Sequence, residues 1–231
     1  MYVGYMYGTT GSLANNRNNT NDSTIKKHID SWYKDNLLIN YDKYISKTAI
    51  YCNDRSVESG TYSTTKTFYY GAYTRLNTNK TPTYKCGGNI SNGLFEGTQA
   101  IEDKFSVNTS GGGNGKLKYP MALMTVDEVS FAGGKSYTKL SSPYAWYYTN
   151  SEGGSITGTK LWWLISSFYW DISRSYVFCV VGFGEPGYLD YIGVDVSEEV
   201  RPAISLSSCV TIKSGTGTPE THEIDYDGSC N

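Results

Sequence analysis

Residues 162–178 read WWLISSFYWDISRSYVF. This run decides the architecture, because its rings must either fill a core or face a partner. Trp162 and Trp163 are adjacent in a strand-like segment, WWLIS (162–166), so alternation sends one ring to each side of a sheet. Burying one such ring contributes on the order of 2–3 kcal/mol. Tyr176 and Phe178 share one face of the next strand, with Val177 on the other. YVFCVV (176–181) is apolar on both faces, which predicts a central strand. The stretch between them, FYWDISRS (168–175), has no period of two and lacks the Gly/Asn pair of a tight hairpin. It is expected to be a connection that displays Phe168, Tyr169 and Trp170 beside Asp171, Ser173 and Arg174. Tyr, Trp and Arg dominate binding hot spots. The competing reading folds Tyr169 and Trp170 back as a lid over the core. A second connection, GFGEPGYLDYIGVDVSEE (182–199), adds Phe183, Tyr188, Asp190, Tyr191 and Asp195.

Composition supports a mostly β, loop-rich protein. The chain has 231 residues, with 25 Gly and 22 Tyr against 7 Phe. That length suits one large domain or two small ones, with enough chain for a core that stands without staples; a single domain over 1–231 is the expectation. Tyr supplies ring area with a polar tip at low entropic cost, as binding surfaces need, although strand propensity accounts for many of these residues. The net charge of −2 argues against nucleic acid as a partner, since phosphate binding needs a basic footprint. No apolar run is long enough to span a bilayer. MYVGYMYG (1–8) has neither a basic n-region nor an apolar h-region; it reads as a strand continuing from a longer surface protein.

Two helices stand out. NDSTIKKHIDSWYKDNLL (21–38) opens on good N-caps and spaces Ile25, Ile29, Trp32, Tyr33 and Leu37 along one face. TVDEVSFAGG (125–134) begins with the capping box Thr125/Glu128, stops at Gly133–Gly134, and turns Val126, Val129 and Ala132 inward. LKYPMALMT (117–125) alternates as a strand, and Pro202 makes VRPAISL (200–206) an edge. Residues 50–116 read as long loops pinned by short strands. SGGGNG (110–115) lacks the G-K-[ST] ending of a phosphate loop. Of five cysteines, Cys52 and Cys86 border polar loop sequence that suits a disulfide. Cys209 and Cys230 are the candidates to close the C-terminal tail, and Cys179 reads as a small buried hydrophobe.

The motif order from YPMALMTVDEVSFAGG through YAWYYT, WWLIS and YVFCVV to VRPAISL resembles bacterial and phage-borne domains of the C-type-lectin fold. It is similar to the variable proteins diversified by retroelements and to the formylglycine-generating-enzyme-like branch. The resemblance implies an α+β domain with small twisted antiparallel sheets, two helices and long irregular loops. It implies a ligand face formed by Tyr169, Trp170, Asp171, Ser173, Arg174, Phe183, Tyr188, Asp190, Tyr191 and Asp195, rimmed by Tyr144, Trp146 and Tyr148. The implied partner is a protein or glycan receptor, met outside the cell, on a cell surface or on a virion. The second implied role is a structural subunit of a virion or pilus. Lectin calcium pairs are missing: Glu185-Pro186-Gly187 and Trp170-Asp171-Ile172 come closest, and neither supplies the carboxylate–amide set. No metal or other cofactor is expected.

No catalytic constellation emerges. His28 sits on a helix and His222 in a polar tail, away from any Ser–His–Asp pattern. Glu198-Glu199 reads as a solvated turn. Asp127-Glu128 lies in a helix's first turn, where carboxylates offset the dipole. The expectation is a binding domain rather than an enzyme.

Overall fold

The computed structural model describes residues 22–58, 65–86, 94–95, 99–100, 104–138, 161–172, 174–181, 187–215, 222–226 and 228. In chain order the elements are α1 (Thr24–Asn36), β1 (Tyr51–Cys52), β2 (Phe68–Tyr69) and α2 (Gly71–Tyr73), which runs on as a π-helical turn over Thr74–Thr78. Then come β3 (Leu94–Phe95), β4 (Gln99–Ala100), β5 (Lys104–Phe105), β6 (Ala122–Leu123), α3 (Val126–Phe131) and β7 (Lys135–Ser136). The remaining strands are β8 (Trp162–Trp170), β9 (Ser175–Val181), β10 (Tyr188–Gly193), β11 (Pro202–Ala203), β12 (Val210–Ser214) and β13 (Glu223–Tyr226). The fold is α+β.

A five-stranded sheet in the order β2-β8-β9-β10-β7 organises the chain. Its β2–β8, β8–β9 and β9–β10 pairs are antiparallel, and β7 lies parallel to β10. The YVFCVV strand is central, and Val177, Phe178, Cys179 and Val180 are fully buried. Both sheet faces are covered. Trp162 packs with Ala72 and Leu76, from α2 and its π-turn, and with Val126 and Val129 of α3. Trp163 packs on the other side with Ile25, Ile29 and Tyr33 of α1. The adjacent tryptophans thus serve two cores, as alternation requires.

Local chemistry explains the helices. Ser23 caps α1 by accepting the Lys26 N–H at 3.0 Å, and Ile25, Ile29 and Tyr33 form its buried stripe at spacings of four. Trp32, expected on that stripe, is 44% exposed. The stripe is narrow, and a residue three positions beyond Ile29 falls at its margin. The α3 capping box is present, with Thr125 Oγ1 accepting from Glu128 N at 3.1 Å and Glu128 Oε2 accepting from Thr125 N at 2.7 Å. Helical structure at 71–78 was not expected from the Gly- and Tyr-rich sequence.

Three strand expectations change. Within LKYPMALMT only Ala122–Leu123 pairs, with β11, because Pro120 offers no N–H and Thr125 already caps α3. The strand beginning WWLIS runs on through Phe168, Tyr169 and Trp170, leaving only residues 171–174 between β8 and β9. The 182–199 stretch contains β10 rather than a continuous connection.

A disulfide joins Cys52 to Cys86, tying β1 to the segment beyond the π-turn. Cys209 is disulfide-bonded too; Cys230, its expected partner, lies outside the described residues. Cys179 is free and buried, and burial pushes its thiol pKa well up. Among the described residues no helix is long and apolar enough to cross a membrane.

Candidate functional site

The pairing of β8 with β9 is uneven. Trp162 faces Val180 and Trp163 faces Cys179, but the register shifts between Trp163 and Ser167 and again between Ser167 and Tyr169. A bulge leaves extra residues on one strand and re-aims their side chains. Here the consecutive residues Phe168 and Tyr169 join one cluster, where strict alternation would separate them. Their rings lie 5.5 Å apart, and both meet Tyr191, at 4.5 Å and 5.4 Å.

The cluster is layered. Phe178, 4.7 Å from Phe168, forms the floor with it, and both rings are buried. Tyr169 and Tyr176 stack above at 4.2 Å with an interplanar angle of 6°, each half-buried. Tyr69 from β2 lies 5.6 Å from Tyr169 and 4.2 Å from Tyr73. Tyr137, just past β7, reaches Phe168 at 6.5 Å and Tyr188 at 6.0 Å. Tyr69, Tyr137 and Tyr191 are 38%, 45% and 37% exposed, so the outer layer offers ring area to solvent. Edge and offset ring contacts of this kind add about 0.5–1.5 kcal/mol per pair beyond burial.

A charged rim closes one end. The Arg174 side chain donates from Nε to Tyr176 Oη at 2.9 Å and from Nη1 to Asp195 Oδ1 at 3.1 Å. Tyr176 Oη in turn donates to Asp171 Oδ2 at 2.9 Å, and Asp171 Oδ1 accepts the Arg174 N–H at 2.9 Å. Bonds to Tyr176 and Asp195 hold the Arg174 pKa above its ordinary value. Gly193 leaves room for the pair: a Cβ there would sit 2.7 Å from Asp195 Oδ1 and 3.2 Å from Arg174 Nη1, so a larger residue would shift these side chains. The short connection bends at Ile172, whose φ of 78° is rare for a β-branched residue.

Burial, then the bond with Tyr176, raises the Tyr169 hydroxyl pKa well above its ordinary value. Burial, then the charge of Asp190, does the same at Tyr137. Both hydroxyls are therefore neutral at physiological pH. The face can offer stacking area, phenolic hydroxyls and one paired cation.

No protein-family model, curated protein or solved structure matches this chain.

The expected site residues divide. Tyr169, Asp171, Arg174, Tyr191 and Asp195 come together around the cluster, with Tyr188 at its margin through Tyr137. Asp190 is half-buried in β10, where alternation turns it away from Tyr191, yet it is near enough for its charge to act on Tyr137. Trp170 leaves the face and packs against Phe68 and Tyr70 in a small separate core, whereas Tyr169, which the lid reading paired with it, stays in the tyrosine cluster. Ser173, Phe183, Tyr144, Trp146 and Tyr148 lie outside the described residues. Sequence reasoning missed Tyr69, Tyr73 and Tyr137; the dense FYYGAY run at 68–73 was the available signal for the first two. His28 is exposed on α1, and His222 Nδ1 lies 3.0 Å from Gly215 O.

Proposed function

We propose that the chain is a non-enzymatic display domain of the C-type-lectin type, which captures a protein or glycan on a target surface through the tyrosine face of its sheet. The observation that carries this reading is the layered cluster itself. Phe168 and Phe178 anchor it on a sheet buried on both sides, while Tyr69, Tyr137 and Tyr191 stand more than a third exposed. Rings held rigidly at the surface lose little entropy on binding, which is what makes Tyr effective at recognition sites. The Arg174–Asp171–Asp195 rim adds directional polar contacts beside them. The Cys52–Cys86 disulfide and the bonded Cys209 favour an oxidising compartment, hence a secreted, cell-surface or virion-surface location.

The test uses Tyr191→Ala and Tyr69→Ala, screened with the unaltered protein on glycan and cell-surface-protein arrays. The proposal expects a target class captured by the unaltered protein and lost in both variants, while circular dichroism stays unchanged. Capture that survives both substitutions would refute it. Trp170→Ala is unsuitable as a probe, because that ring supports Phe68 and Tyr70. The virion- or pilus-subunit reading instead requires a defined oligomer by light scattering that dissolves on Tyr191→Ala.

A further inference from the structure

The loop that follows β5 contains the dipeptide Asn114–Gly115. Gly carries no side chain to shield its amide, so the Gly115 nitrogen is able to attack the side-chain carbonyl carbon of Asn114. The chemistry balances without a co-reactant other than water. The Gly115 amide loses its proton, its nitrogen bonds to Asn114 Cγ, and the side-chain nitrogen departs as ammonia. Water then opens the cyclic imide at one carbonyl or the other, leaving aspartate or isoaspartate.

Both partners of that ring closure are held in the folded loop. The Gly115 N–H donates to Ser106 Oγ at 3.2 Å. Ser106 is fully buried, and its Oγ donates its own proton to the Asn108 carbonyl at 2.6 Å. Toward Gly115 the hydroxyl is therefore an acceptor, and it is far too weak a base to remove the amide proton. Asn114 Oδ1 accepts the Lys116 N–H at 3.0 Å and the Ser106 N–H at 3.4 Å, while the Asn114 N–H donates to Lys104 O at 2.9 Å. Gly113 admits the hydroxyl beneath the loop, since a Cβ there would lie 2.1 Å from Ser106 Oγ. Asn114 is half-buried and Gly115 exposed, so water for the hydrolysis reaches the pair.

We infer that Asn114 is a self-modification site, converting to aspartate or isoaspartate, and that Ser106 sets the rate by holding the Gly115 amide. Conversion requires a local opening that breaks the Gly115–Ser106 bond. Isoaspartate routes the backbone through the former side chain and adds a methylene, which displaces the Asn114 N–H from Lys104 O. The tyrosine face takes no part, because none of its residues lies in this loop.

The unaltered full chain, the same chain in urea, and Ser106→Ala are aged at mildly alkaline pH. Mass spectrometry and an isoaspartate assay follow the tryptic peptide 105–116. Asn108 lies in the same peptide and is the slow internal reference, since the branched Thr109 shields the amide after it. The unaltered folded chain is expected to convert slowest and the chain in urea fastest. Ser106→Ala, with unchanged circular dichroism, converts roughly fivefold faster than the unaltered chain, as loss of one ordinary hydrogen bond dictates. If Ser106→Ala does not fold, amide hydrogen exchange at Gly115 of the unaltered protein carries the test: protection supports the inference, and exchange at the unfolded rate overturns it. A folded Ser106→Ala that converts no faster than the unaltered chain would overturn it, as would a folded chain that matches the chain in urea, or no conversion of Asn114 even in urea.

Discussion

Asp127 offers the sharpest test of how the fold is held together. A carboxylate in a helix's first turn stabilises by about 0.3–1 kcal/mol through the dipole. In the structure Asp127 does more. Its Oδ1 accepts from Arg75 Nε at 2.8 Å and from the Thr83 N–H at 2.9 Å, and its Oδ2 accepts from Arg75 Nη2 at 2.6 Å. Both side chains are largely buried, and Asp54 touches the same guanidinium at 3.2 Å. Burial disfavours the charge on Arg75, but the bonds to Asp127 and Asp54 outweigh it and hold its pKa above the ordinary value. Asp127→Ala leaves that guanidinium underpaired, and breaking a buried ion pair this way costs about 3–5 kcal/mol. With a urea slope near 3 kcal/mol/M, a loss of about 4 kcal/mol moves the unfolding midpoint down by roughly 1.3 M. Glu128→Ala, one residue away, loses only the capping box and costs about 1 kcal/mol. The double variant Arg75→Met/Asp127→Leu does not recover the loss, because it leaves the buried Asp54 carboxylate without its cation; only the triple variant with Asp54→Asn removes every charge of the cluster. Urea unfolding followed by circular dichroism reads these proteins. An Asp127→Ala cost no greater than that of Glu128→Ala would refute the reasoning.

Two further outcomes follow from covalent and protonic links. Replacing Cys52 and Cys86 together by Ser frees a loop of sequence separation 34, and loop entropy puts the cost at about 4 kcal/mol; unchanged urea midpoints would contradict that bond's role. Burial raises the Asp30 carboxyl pKa above its ordinary 3.8 in spite of Lys26. The folded state therefore holds that proton more tightly than the unfolded chain, a contribution fully present below 3.8 and lost as pH rises through the folded value. Relative to Asp30→Asn, the unaltered protein should gain stability as pH falls from neutral toward 3.8, read as urea midpoints. A difference that moves the other way on acidification would rule out the burial effect.

Local signals carried much of the fold. YVFCVV has no polar side, so it had to be central. Ser23, and the pair Thr125 and Glu128, announced their helices through capping chemistry that acts within four residues. The Cys52–Cys86 bond was legible because both residues border polar loops. What escaped the sequence depends on distant or irregular geometry. The β8 bulge destroys the period of two over Phe168–Trp170, so a continuing strand reads as a loop. Gly and Asp in YLDYIG similarly disguise β10. Arg75 and Asp127 are 52 residues apart and meet only after folding. Tyr69 and Tyr137 reach the cluster from the two edges of the sheet, so no linear window contains the face they share with Tyr191.

The central claim is that the tyrosine face, and not some other exposed ring, meets the partner. Hydroxyl-radical footprinting of the protein, alone and with its captured target, tests it directly. Tyr84 and Tyr41 are 77% and 51% exposed elsewhere on the surface and serve as internal references. The account predicts protection at Tyr69, Tyr137 and Tyr191 with Tyr41 and Tyr84 unchanged; protection of Tyr41 or Tyr84 while Tyr191 stays reactive would contradict it.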